Sequence, residues 1–349
     1  MFIAGIGTAT PPTRYLQTEC WGIAPSSPAV QQLAPRSRAL LKKVLLGNNG
    51  IESRHLALSP LSEVFECSPD ALHARFAKHA PVLASQAAQK ALEDAQCGAS
   101  EINGLVVSTC TGYLCPGLTS YIVERLGLRS DVIALDLVGQ GCGAALPNLR
   151  AGAALLKGAG CEKVLCACVE VCSAVFYLDD DPGVLISACL FGDAAGAAVI
   201  SNEPSRIEWT DCDSLMDPTT RDLLRFEQKD GRLRNILTPQ VPRLAAKYAE
   251  RVLTQVLDRN GLARQDIAAW IWHAGGRDVL NALREQLALD ESALRWSASV
   301  LKELGNVSSS FVFHVLEGAL RGGAPSGHWW MSSFGAGFSC HGALLKVAP

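Results

Sequence analysis

The chain has 349 residues, 48% of them hydrophobic and 19% charged, with a formal net charge of −3. That length suits one large domain or two fused ones with a full core. The slightly acidic balance, with no basic run or basic–aromatic stripe, argues against nucleic acid as a partner, and no apolar stretch reaches the roughly 18 residues of a membrane-crossing helix.

The opening segment Met1-Phe2-Ile3-Ala4-Gly5-Ile6-Gly7 lacks a basic region and a long apolar core, so it reads as a first strand and not as a signal peptide. Residues 20–81 read as mostly helical and less regular. Within them the Lys42-Lys43 pair and Arg54-His55 are candidates for contacting an anionic group. A solvated charged face explains them equally well. From residue 104 onward short apolar runs alternate with helical patterns. Strands are expected at 104–109, 132–137 and 163–169. Helices are expected at 118–128, ended around Gly127, and at 146–157, stopped by Gly158. This alternation indicates α/β layers with buried strands. Residues 202–241 are more polar and read as a surface hairpin and connection. A strand then ends at His273, and a helix is expected at 279–287.

The thirteen cysteines are scattered and contain no Cys-x-x-Cys pair, which argues against a zinc or redox site. Several sit in apolar runs such as Val164-Leu165-Cys166-Ala167-Cys168-Val169, where they act as small hydrophobes. The simplest compartment is the reducing cytosol.

The second half echoes the first at one offset. A spacing of 164 residues relates Gly112 to Gly276, Gly141 to Gly305, Cys142 to Asn306 and Gly158 to Gly322. Several coincidences in one register suggest a duplicated α/β unit, with halves 1–203 and 204–349. Cys142 and Asn306 would occupy equivalent places, where strand gives way to helix.

Three polar residues stand beside glycines in apolar surroundings: Cys142 in Gly141-Cys142-Gly143, His273 in His273-Ala274-Gly275-Gly276, and Asn306 in Gly305-Asn306. A thiol, a base and an amide donor are the parts needed for acyl transfer through a thioester. A helix N-terminus after Cys142 would favour its thiolate. Papain-like proteases also order Cys, His and Asn, with His ~130 residues after Cys. Here the separation is 131 residues, but those enzymes carry the Cys near the mature N-terminus, and Cys142 follows a long α/β segment.

The motifs together resemble the type III polyketide synthases, the chalcone-synthase-like enzymes of the thiolase fold. Gly141-Cys142 resembles the nucleophile motif, and His273-Ala274-Gly275-Gly276 resembles His-x-Gly-Gly. Gly305-Asn306-Val307-Ser308-Ser309 resembles Gly-Asn-x-Ser-Ser, and Leu190-Phe191-Gly192-Asp193-Ala194-Ala195 resembles Leu-Phe-Gly-Asp-Gly-Ala. Phe334-Gly335-Ala336-Gly337 resembles the C-terminal Gly-Phe-Gly-Pro-Gly signature, with Ser333 and Ala336 departing from it. The resemblance spans essentially the whole chain. It implies a thiolase-like α/β fold with two pseudo-duplicated halves in an α-β-α-β-α arrangement.

By that resemblance Cys142 accepts an acyl group from a coenzyme A thioester and is held as a thiolate by His273. His273 and Asn306 stabilise the enolate left when malonyl-CoA loses carbon dioxide. The enolate extends the chain repeatedly before cyclisation to a pyrone or phenolic product. Phe191, Cys110, Cys115 and Ser308 fall on substrate-contacting positions, with Cys115-Pro116 reaching across a homodimer interface through a cis bond. Lys42, Lys43 and Arg54 fall where coenzyme A is held. Acyl-CoA and malonyl-CoA are the implied partners, with no metal or other cofactor and a cytoplasmic location. Two rivals remain. An initiating ketoacyl-carrier-protein synthase shares the trio but usually reads His-Gln-Ala-Asn. A non-catalytic scaffold subunit would have no reason to keep all three polar residues. A thiolase would use a second cysteine, for which Cys340-His341-Gly342 lies too late, on the expected last strand.

Overall fold

A computed structural model describes all residues, 1–349. Nine strands form one large sheet: β1 Phe2–Ala9, β2 Gly104–Ser108, β3 Ile133–Leu137, β4 Lys163–Glu170, β5 Ala194–Ser201, β6 Ile207–Met216, β7 Ile267–Trp272, β8 Gly327–Gly335 and β9 Ser339–Val347. Their spatial order is β7-β8-β9-β6-β1-β5-β4-β2-β3. The seam between halves is short: β1 meets β6 only at Phe2–Glu208 and Ile3–Ile207.

The two sides of that seam carry the same wiring. In the first half β2 and β4 are parallel, β4 and β5 antiparallel, β5 and β1 antiparallel. In the second half β7 and β8 are parallel, β8 and β9 antiparallel, β9 and β6 antiparallel. One element breaks the correspondence. The segment one repeat spacing after β3 is helical, within Arg295–Leu304, so the second half has four strands where the first has five. Another expectation needs correcting at β3. It is a strand, but a sheet edge and not a buried one, with Ile133 39% and Leu135 38% exposed.

Alternation of side chains sorts the sheet into two cores. Leu105 and Val107 face one way, with Leu165, Ala167 and Val169, against helix α1 (Pro69–Asp94). Val106, Val164, Cys166 and Cys168 face the other way. Helix α1 lies very close to β1 because both surfaces are small. Ala80, Ala84, Ala87, Ala88 and Ala91 are fully buried, and a Cβ on Gly7 would come within 2.2 Å of the Ala87 carbonyl oxygen. Ser68 starts this helix: its Oγ accepts the Ala71 N–H, and Pro69 supplies a first residue that needs no donor.

Helices α2 (Ala145–Gly158) and α5 (Phe311–Arg321) pack between the two halves, while α3 (Val241–Asn260) and α4 (Arg277–Leu287) cover the outer face of the second. The order is therefore α-β-α-β-α. Its central position explains why Phe311 to Leu316 of α5 is buried without a polar face, unlike a surface helix.

The segment read as a surface connection at 202–241 proves more structured. It supplies β6, and its hairpin, Leu224–Lys229 paired with Arg232–Leu237, folds inward. Leu224, Arg225 and Phe226 of that hairpin line a cavity beside Cys142.

Candidate active site

Cys142 is the middle residue of a 3₁₀ turn, Gly141–Gly143, that leads into α2. Gly141 has φ +57°, a left-handed conformation that glycine adopts without strain. A Cβ on Gly143 would lie 2.9 Å from the backbone of Gly335, so the loop after Phe334 rests directly on the nucleophile turn. Ser333 ties the two together by donating its hydroxyl to the Gly143 carbonyl at 2.9 Å.

His273 follows β7 and is held by its own N–H, which donates to the Ser332 carbonyl at 2.9 Å. The rings of Phe311 and Phe334 stand edge-on to the imidazole at 5.4 and 6.3 Å. Asn306 follows the helix Arg295–Leu304, not a strand as the repeat suggested. What it shares with Cys142 is a short 3₁₀ turn, which holds Cys142 itself and follows Asn306, leading into one of the two central helices. Its N–H donates to the Leu190 carbonyl and its carbonyl accepts from Gly192, which fastens it to the Phe191 segment.

The amide of Asn306 is oriented by three contacts. Its Oδ1 accepts the Ser308 N–H at 2.9 Å and lies 3.3 Å from His273 Nε2, while Nδ2 donates to the Gly275 carbonyl at 3.3 Å. An acceptor facing Nε2 calls for the proton on that nitrogen. Nδ1 of His273 is then a buried lone pair with no partner. One amide hydrogen of Asn306 stays free for a substrate oxygen.

Cys142, His273 and Asn306 all line one large cavity, whose rim includes Asn49, Pro239 and Arg277. A second, inner cavity is lined by Cys110, Cys172, Phe176 and Tyr177 among others. Cys142, Phe191 and Leu224 line both, so the thiol and the Phe191 ring stand at the passage between them.

Electrostatics alter one expectation. No hydrogen bond joins Cys142 to His273; the sulfur instead takes the Ser308 hydroxyl at 3.2 Å. Burial pushes the Cys142 thiol up to about 12, against a smaller downward pull from Ser308. Burial likewise pulls His273 down to about 4. Burial thus works against the charged form of both groups, in the direction opposite to the anticipated ion pair. Desolvating a charge in this enclosed site outweighs what one helix N-terminus supplies.

Ser308 belongs to a buried network that the sequence reading missed. Glu170, at the end of β4, is completely buried and accepts hydrogen bonds from Cys110 N, Thr111 Oγ1, Ser308 Oγ and Ser309 Oγ. Burial raises its pKa, and the Ser309 and Cys110 donors oppose that. The available signal was an acidic residue closing the apolar run Cys166 to Val169, where a strand end faces the nucleophile. Cys110 touches the same carboxylate, Sγ to Oε1 3.3 Å, and its thiol is held far above its ordinary range by burial and by that charge. Asp193 is a second buried anchor. It takes the N–H groups of Ala57 and Ser173 and so fixes the segment after Phe191.

The remaining expected residues divide. Phe191, Cys110 and Ser308 line the inner cavity. Cys115 is exposed and lines neither cavity; its bond to Pro116 is cis, as expected. Lys42 and Lys43 are exposed on the helix Pro35–Leu46, whose Val44 reaches the outer cavity, and the Lys42 ammonium lies 5.9 Å over Trp21. Arg54 is a correction. It is 3% exposed, and its guanidinium donates to the carbonyls of Ala188 and Phe191 and to Gln17 Oε1. It braces the Phe191 segment and has no free edge for a phosphate.

The match to known proteins agrees with this geometry. Residues 27–212 match the family model described as FAE1/Type III polyketide synthase-like protein, and residues 216–348 match the chalcone and stilbene synthase C-terminal domain. A 3,5-dihydroxyphenylacetyl-CoA synthase of Streptomyces toyocaensis is 30% identical over 99% of this chain and 89% of its own. A 1,3,6,8-tetrahydroxynaphthalene synthase of Streptomyces peucetius subsp. caesius is 29% identical over 99% and 92%. Among solved structures, PKS-I of the brown alga Ectocarpus siliculosus superposes with TM-score 0.89 at 26% identity, covering 99% of this chain and 98% of that one. A thiolase-type fold with a thiol, an imidazole and an amide on one cavity wall defines a thioester-using acyltransferase. The chain belongs to the type III polyketide synthase family.

Proposed function

We propose that Cys142 is the acyl carrier of this synthase and that His273 and Asn306 stabilise the charge developed in each condensation. The Cys142 sulfur attacks the carbonyl of an acyl-CoA, the thioester bond breaks, and coenzyme A leaves as the thiol with the cysteine proton. Malonyl-CoA then loses carbon dioxide. The resulting enolate oxygen lies against the free Asn306 amide hydrogen and beside His273 Nε2–H, whose proton it shares with Asn306 Oδ1, and both act as fixed donors. The enolate carbon attacks the acyl–Cys142 carbonyl, a carbon–carbon bond forms, and the thiolate is released for the next round. The observation that carries this reading is the shared passage: Cys142 lines both the outer cavity, where His273 and Asn306 sit, and the inner cavity, where a growing chain would fold.

Coenzyme A thioesters enter from the side of Arg277 and Asn49, with Lys42 and Lys43 on the neighbouring helix. No further cofactor is required by these steps. The enzyme works as a homodimer in the cytoplasm. The exposed apolar side chains of Ile133 and Leu135 on the edge strand, with Val138 just after it and Tyr113 in the loop after β2, support the first point. Thirteen unpaired cysteines support the second. In that dimer Cys115 reaches the neighbour's cavity. Residues 1–203 and 204–349 are two copies of one unit, a reading supported by their matching strand order.

The test is mass spectrometry of products from malonyl-CoA with a panel of acyl-CoA starters, alongside Cys142→Ala. Polyketides from the wild type and none from the variant are expected. Turnover only with a malonyl-carrier protein would move the assignment to a ketoacyl synthase.

A further inference from the structure

The Cys142 proton finds no acceptor in His273. The Nε2–H of that ring faces Asn306 Oδ1, and its bare Nδ1 has no hydrogen-bond partner. The side chain that does reach the sulfur is Ser308, at 3.2 Å. Behind it stands Glu170, whose Oε1 lies 3.3 Å from the same hydroxyl.

Glu170 is completely buried at the end of β4. Its hydrogen-bond partners are all uncharged: the Cys110 N–H and thiol, and the hydroxyls of Thr109, Thr111, Ser308 and Ser309. A carboxylate enclosed without a cation is costly, and taking up a proton relieves that cost. Burial raises its pKa accordingly, which makes it a stronger base than an exposed glutamate.

The two contacts of Ser308 are the two ends of one transfer. While the sulfur is a thiol, its S–H points at Ser308 Oγ and the Ser308 O–H points at Glu170. Once the protons have moved, the Ser308 O–H points at a thiolate and the carboxyl is neutral. One negative charge changes place and none is created. An ion pair with His273 would create two charges in the same enclosed space.

We infer that Ser308 and Glu170 form the proton relay that activates Cys142: the sulfur gives its proton to Ser308 Oγ, Ser308 gives its own to Glu170 Oε1, and the sulfur electron pair attacks the acyl-CoA carbonyl. The thioester C–S bond then breaks. The proton returns through Ser308 to the departing sulfur, and coenzyme A leaves as the thiol. Ser308 touches the reacting sulfur, while Glu170 acts only through it and is a positioning residue. The inference rests on the reading of Cys142 as acyl carrier.

The experiment compares two steps. One is single-turnover loading of Cys142, read by intact-protein mass with the acyl-CoA that loads the wild type fastest. The other is malonyl-CoA decarboxylation, which needs no proton from Cys142. Glu170→Gln and Ser308→Ala should each slow loading by on the order of 10² more than they slow decarboxylation. Equal loss in both steps means that the pair only holds the Asn306 turn in shape, and overturns the relay. The double variant should lose no more than either single one, since both cut one path; multiplied losses overturn it too.

Wild-type loading should fall along an acid limb above the ordinary glutamate range as Glu170 takes up a proton, and Glu170→Gln should lack that limb. The thiols facing Glu170, those of Cys110, Cys142, Cys168 and Cys172, are all pushed up by burial and stay neutral there. A limb that persists in the variant belongs to another group and sinks the relay while leaving Cys142 as carrier. Absence of wild-type loading from every thioester sinks the carrier reading itself.

Discussion

Ser308 Oγ stands 3.2 Å from Cys142 Sγ and 3.3 Å from Glu170 Oε1, so one hydroxyl proton faces two acceptors. Ser309 also donates to Glu170 Oε1. That second donor frees the Ser308 proton for the sulfur. The geometry is set by the backbone, because Ser308 has φ +51° and its N–H is clamped by Asn306 Oδ1.

Ser308→Ala should therefore make Cys142 less reactive. Its hydrogen bond is the main influence lowering the thiol pKa. Iodoacetamide alkylation of Cys142 is expected to slow by on the order of tenfold near neutral pH. An unchanged rate would remove Ser308 from the activation of the thiol.

In the free wild-type enzyme the same alkylation should rise steadily between about pH 6 and 10 without a plateau, because burial raises the thiol pKa. A plateau already present near pH 6 would restore the ion pair with His273.

Asn306→Ala should lower the rate of malonyl-CoA decarboxylation by roughly 10²–10³, the usual effect of losing one oxyanion donor. Acyl loading of Cys142 should persist. Parallel loss of both steps would mean that Asn306 acts mainly by holding the Leu190–Gly192 segment.

Arg54→Ala should cost stability on the order of 3 kcal/mol, since it strands the carbonyls of Ala188 and Phe191. Urea unfolding would read this directly. Arg277→Ala, at the cavity rim, should instead raise KM for coenzyme A thioesters with little change in unfolding. The reverse pattern would return Arg54 to the binding surface.

Stability should fall as pH drops from about 6.5 to 4. Burial holds His273 and His341 down at about 4 and His314 at about 3, so the unfolded chain takes up protons first. Each contributes at most on the order of 3 kcal/mol. Glu170 and Asp193 act in the opposite sense, since burial raises their pKa and their folded forms hold protons to higher pH. A flatter pH dependence of the urea midpoint in His314→Gln would check the histidine share.

Periodicity placed several elements closely. The helix expected at 146–157 is observed as Ala145–Gly158, and the strand at 163–169 as Lys163–Glu170. The one extra residue is Glu170, the hub of the buried network. Its place at the end of an apolar run is the one local mark, and it does not show the role, because the donors come from residues 109–111 and 308–309, far away in sequence. Arg54 misled for the same reason. An arginine beside a histidine looks like a surface anion site until helix Pro182–Leu190 and Gln17 close over it. β3 misled in the other direction, since an apolar run looks buried until sheet order makes it an edge.

The sequence alone determined the layered α/β architecture and singled out Cys142, His273 and Asn306. Each is written in short-range periodicity or in glycine-flanked motifs that fix local backbone shape. The tertiary structure decided the burial of the thiol and the imidazole, the partner of the sulfur and the fate of Arg54. Those depend on burial and on which distant groups meet, and neither is encoded in any local stretch of chain.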